Sequence, residues 1–86
     1  MFDHNLKVVD VAQKEFRQIA PKVGWVEHDP EEIWATVKDC LTEVCDRNSL
    51  TPQKVKAVGI TNQRETTVPF SRSKGTPYHN ALVWLD

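Results

Sequence analysis

Apolar and polar positions alternate most regularly between Asp29 and Asn48. Ile33, Val37, Cys40, Leu41 and Val44 recur at spacings of four, three, one and three, which puts them on one stripe of a helix, while Lys38, Asp39, Glu43 and Arg47 face away. The start is marked by side-chain chemistry. Asp29 is placed to cap the first turn, Pro30 suits the first helical position, and Glu32 stands three residues after the cap, where the helix dipole favours a negative charge. Asn48 is expected to end the helix in a left-handed conformation, and Thr51-Pro52 to cap one further short turn. The stripe is expected to be core.

Elsewhere the pattern predicts strands. Ala57 to Ile60 is a short apolar run, the length and β-branched content of a strand buried on both faces. Leu6 to Phe16 follows an Asp3-His4-Asn5 turn and reads as the second arm of a hairpin, with only Met1 and Phe2 before the turn. Pro21 to Val26 lacks periodicity and reads as a loop, with Gly24 allowing a sharp turn and Trp25 covering an edge of the core. Thr66 to Phe70 and Ala81 to Leu85 read as a hairpin around the basic turn Ser71 to Gly75, and Pro69 confines the first arm to a sheet edge or a bulge. Strand, helix and strand make a crossover unit, so the expected class is α/β: a mixed sheet with one crossover helix.

Composition narrows the partner. The 86 residues hold 11 Lys plus Arg against 12 Asp plus Glu, with neither sign in a long block, which argues against nucleic acid or an anionic membrane surface. A domain of this size buries only about 60% of its unfolded surface, so its margin of stability is thin. Nothing resembles a spanning helix or a signal peptide, and the expected location is cytoplasmic. Cys40 and Cys45 fall on different faces of the predicted helix and read as reduced thiols. His4, His28 and His79 are scattered, and no metal site is expected.

The chemistry concentrates where the Ala57 to Ile60 run empties into Asn62, Gln63, Arg64 and Glu65. In open α/β sheets ligands gather beyond the carboxyl ends of strands. A guanidinium fork beside a carboxylate that only accepts suits a polyol, whose hydroxyls both donate and accept. The same residues also read as a solvated turn, with Arg64 and Glu65 too exposed for their charges to contribute much.

Gly59-Ile60-Thr61-Asn62-Gln63-Arg64-Glu65-Thr66-Thr67, taken with Gly24-Trp25-Val26-Glu27-His28-Asp29-Pro30 and Ala81-Leu82-Val83-Trp84-Leu85-Asp86, resembles the glycerol kinases of the FGGY carbohydrate kinase family, in order and over nearly the whole chain. The resemblance implies the N-terminal domain of that family, with an RNase H-like sheet as in the actin-like ATPases. It implies that Arg64 and Glu65 bind glycerol hydroxyls and that Trp84 packs against the carbon backbone of glycerol. It also implies ATP and Mg²⁺ as cofactors, with possible homo-oligomers of the full-length enzyme. The family's Asp-x-Gly-Thr-Thr phosphate loop, its catalytic aspartate and its second domain have no counterpart here, so residues 1–86 are expected to be a partial domain that is inactive alone. In the family's sheet, two strands lie between those matching Leu6 to Phe16 and Val55 to Ile60, a gap of about 14 Å at the usual strand spacing; without them the two are expected to pair directly or to leave the sheet open. Two other readings remain open: a non-catalytic module that docks through its sheet edge, and another FGGY sugar kinase.

Overall fold

The computed structural model describes residues 1–83. In chain order it holds β1 (Val26–His28), α1 (Pro30–Arg47), a single 3₁₀ turn (Pro52–Lys54), β2 (Thr66–Thr67) and β3 (Ala81–Val83).

The helix forms where the periodicity predicts it. Asp29 is extended and its carboxylate accepts the Glu31 N–H at 3.0 Å, a cap worth about 1 kcal/mol. The far end differs by one residue. Ser49, at φ 51°, takes the left-handed conformation expected of Asn48, and the Leu50 and Ser49 N–H groups donate to the Cys45 and Asp46 carbonyls at 2.9 and 3.3 Å. Asn48 keeps φ −109°, and its side-chain amide donates to the Val44 carbonyl and to Asp10 Oδ2, both at 2.8 Å. Thr51 stands before the 3₁₀ turn as expected, although its side chain makes no capping bond. Cys40 and Cys45 are free thiols.

What covers the apolar stripe is not a sheet. The Asp3 turn forms, with the Asn5 and Lys7 N–H groups donating to its carboxylate and a Phe2–Val8 bridge closing it. Beyond Val8 the expected strand to Phe16 finds no strand edge to pair with. It runs instead as an extended strap against α1 in the opposite direction, held by Asp10–Arg47 at 3.2 Å, Lys14–Asp39 at 3.4 Å and Arg17–Glu32 at 3.0 Å. The Asn48 amide, the Val11 N–H and the Arg47 charge hold the Asp10 carboxyl below its ordinary range; the Arg17 backbone N–H and guanidinium do the same for Glu32. A strap covers less than a sheet. No residue of α1 is buried and Leu41 stays 55% exposed, so the stripe is half-covered surface rather than the expected core.

The sheet has order β1-β3-β2 and both pairings are antiparallel, which corrects the expectation of mixed pairing; β1 and β2 run parallel on either side of β3, and α1 is the crossover between them, although the strands it joins are not the expected ones. Val26, Glu27 and His28 face Val83, Leu82 and Ala81, while Thr66 and Thr67 face Val83 and Leu82. β2 lies at an edge, as Pro69 demands, and the hairpin turn is closed by the Ser71 N–H donating to the Thr76 carbonyl at 2.8 Å, with Gly75 at φ 71°. β1 begins at Val26, the last residue of the expected Pro21 to Val26 loop, and runs on to His28. Three residues are too few for periodicity to reveal, and pairing with β3 and a bridge from Ile19 to Glu27 make the strand. Gly24, at φ 80°, turns the chain between Ile19 and Glu27 as expected. Trp25 is 52% exposed with the Lys22 ammonium 4.7 Å from its ring centroid, so it covers no core edge.

The Ala57 to Ile60 run is the largest departure. It forms no strand, and Val58 and Ile60 are 72% and 92% exposed. A strand buried on both faces needs neighbours on both sides, and among the described residues none pairs with it. Of the two outcomes expected for this run and the strap, direct pairing does not occur among the described residues, and neither segment joins the sheet. The buried apolar content is correspondingly small: among the described residues Ala81, in the central strand, is the one buried hydrophobic side chain.

Candidate functional site

Alternation along the strands sorts the sheet into two faces. Val26, His28, Ala81, Val83 and Thr66 share one; Glu27, Leu82 and Thr67 share the other. The first is closed by the Phe16 ring, which meets the His28 ring edge-on at 4.8 Å between centroids. On the second, the Asn80 amide donates to the buried Glu27 carboxylate at 3.1 Å.

Arg64 and Glu65 form the tight turn that enters β2. Both are exposed, and no described residue makes an ion pair with either side chain. Their backbone is constrained nonetheless. Gln63 Nε2 lies 3.0 Å from His28 Nδ1 and donates to Thr66 Oγ1 at 2.8 Å, and the Thr66 hydroxyl donates to the Arg64 carbonyl at 3.2 Å. Glu65 sits at φ 55°, a left-handed conformation that costs a residue with a Cβ about 1–2 kcal/mol. Glu65 and Arg64 are adjacent residues, both exposed at this turn. A donor fork and an anionic acceptor on adjacent residues can hold neighbouring hydroxyls of one ligand.

Of the three residues expected to bind substrate, Arg64 and Glu65 are chain neighbours that lie exposed on one turn, and Trp84 lies outside the described residues. Sequence reasoning missed Glu27, His28 and Asn80. The available signal was a carboxylate and a histidine standing directly before the Asp29 helix cap.

Among the described residues no gathered carboxylates and no uncapped α-helix N-terminus offer themselves to a magnesium nucleotide. Among the described residues no three His, Cys, Asp or Glu side chains gather as a metal site. The first turn of α1, where a phosphate would seek free N–H groups, carries Glu31 and Glu32 and is capped by Asp29. No helix among the described residues is long and apolar enough to cross a membrane.

Residues 1–86, the whole chain, match the FGGY family of carbohydrate kinases, N-terminal domain, and the chain belongs to that family, whose N-terminal domain has the RNase H-like fold of the actin-like ATPases. Within it the chain is similar to glycerol kinases. It is 54% identical over 84 residues to the glycerol kinase of Haemophilus influenzae (strain PittGG), covering 98% of this chain and 17% of that enzyme. It is likewise 54% identical over 86 residues to that of Rhizobium meliloti (strain 1021), covering 100% of this chain and 17% of the enzyme. The glycerol kinase of Alkaliphilus oremlandii is 52% identical over 84 residues. The chain thus spans about one sixth of the length of these curated relatives.

Proposed function

We propose that this chain carries part of the acceptor site of an ATP-dependent glycerol kinase, which moves the terminal phosphoryl group of ATP to a glycerol hydroxyl. One observation carries the reading: Arg64 and Glu65, adjacent on a strained turn with side chains that no described residue holds in an ion pair, offer the donor and acceptor that a small polyol needs. Arg64 donates to glycerol hydroxyls, Glu65 accepts from them, and Trp84 lays an apolar face against the carbon chain. Held this way, one hydroxyl is aimed for transfer, and positioning of this kind is most of what phosphoryl transfer asks of its acceptor side. The ATP- and Mg²⁺-binding residues lie outside these 86 residues, and residues 1–86 are one part of the N-terminal domain.

A graft tests the reading. The 84 matched residues of this chain replace their counterparts in the Haemophilus influenzae enzyme, where 54% identity makes the exchange mild. The graft is expected to phosphorylate glycerol, and Trp84→Ala in it to weaken glycerol binding. The 86-residue chain alone, with glycerol, ATP and Mg²⁺, is expected to match a protein-free blank. A graft that folds and binds ATP but ignores glycerol contradicts the proposal.

A further inference from the structure

His28 is only 6% exposed, yet its ring has one polar contact. Its Nε2 is buried with no hydrogen-bond partner among the described residues, so the ring engages the protein through Nδ1 and through its edge-on packing with Phe16. The partner at Nδ1 is the Gln63 amide nitrogen, 3.0 Å away, which also lies 2.8 Å from Thr66 Oγ1. An amide nitrogen has two protons and accepts none, so with the Gln63 amide turned this way both contacts are donations and Nδ1 serves as the acceptor. The Thr66 hydroxyl, its oxygen occupied by Gln63, passes its own proton to the Arg64 carbonyl at 3.2 Å. A relay therefore runs from a buried ring on β1, through the residue before the turn, to the peptide plane between Arg64 and Glu65. The strained backbone of Glu65, at φ 55°, gives that relay something to hold.

We propose that His28 is a positioning residue for polyol binding, acting through Gln63 and Thr66 to fix the direction in which Arg64 and Glu65 leave the turn. This rests on the glycerol reading above. His28 touches no substrate; it contributes an acceptor at a fixed point in the sheet. The competing role is packing alone, with the ring filling space against Phe16.

Two substitutions in the graft separate the roles. His28→Phe keeps a ring against Phe16 and removes the acceptor. His28→Asn gives up the ring and places a carbonyl oxygen near the position of Nδ1. Losing one such bond is expected to raise the KM for glycerol roughly 3- to 10-fold in His28→Phe, with the KM for ATP within about twofold of the parent. His28→Asn is expected to keep the glycerol KM nearer the parent despite a lower melting temperature. Gln63→Leu, which leaves the ring untouched, is expected to reproduce the His28→Phe effect, and the double variant to add nothing to it. If His28→Phe is the milder variant by both readouts, or if the Gln63→Leu and His28→Phe effects on glycerol simply add, the relay is overturned. An unmodified graft with no glycerol activity overturns the glycerol reading itself; an active graft with an unchanged glycerol KM in His28→Phe overturns only the role of His28.

Discussion

Asn80 and Glu27 are 53 positions apart in sequence, and the Asn80 amide donates to the Glu27 carboxylate at 3.1 Å. The bond joins the first strand to the entry of β3, the strand that leads towards Trp84, and it gives the buried Glu27 carboxylate a side-chain donor. Buried carboxylates are costly without such a donor. Asn80→Asp keeps the shape and replaces the donor by a second anion. It is expected to destabilise the protein by about 1–3 kcal/mol, more than Asn80→Ala, when thermal melting of the grafted enzyme is followed at neutral pH.

Strain at Glu65 yields a test in which stability and binding move apart. Glycine adopts φ 55° without the steric cost that a Cβ incurs, so Glu65→Gly is expected to add up to about 1 kcal/mol of stability. It also removes the carboxylate, so glycerol affinity is expected to fall. A melting temperature that rises as binding weakens is the signature of a residue kept for its side chain against the preference of its backbone. Lower stability with unaltered glycerol affinity would mean that Glu65 is an ordinary turn residue.

Acid should release the strap. Asp10 and Glu32 have folded-state values depressed below the ordinary 3.8 and 4.5, so the stability they contribute is present above those values and is lost as pH falls through the depressed ones. Helicity of the 86-residue chain at 222 nm is expected to hold down to about pH 4.5 and then to decline. Asp10→Asn with Glu32→Gln is expected to lower helicity at neutral pH and to flatten that decline.

Elements specified by local chemistry were legible in the sequence: α1 with its Asp29 cap, the Asp3 turn, and the hairpin whose first strand Pro69 confines to an edge. Elements that depend on distant partners were not. β1 is three residues long and is a strand because β3 pairs with it, which no local pattern announces. Ala57 to Ile60 errs the other way, since its β-branched content marks a strand while strand structure requires neighbours that the described residues do not provide. In the candidate site, the exposed turn at Arg64 and Glu65 was legible from the abrupt change to polar residues after an apolar run. The support beneath them, His28 to Gln63 to Thr66, spans 35 residues and became visible only in three dimensions.

The central claim is that Arg64 grips glycerol, and calorimetry of glycerol binding to the graft and to its Arg64→Ala variant tests it most directly. Removing a charge-assisted pair of donors is worth about 1.5–3 kcal/mol, so glycerol affinity is expected to fall roughly 10- to 150-fold while ATP affinity stays within about twofold. Arg64→Lys is expected to fall short of the parent, because an ammonium keeps the charge without the fork. Unchanged glycerol affinity in folded Arg64→Ala would contradict the account.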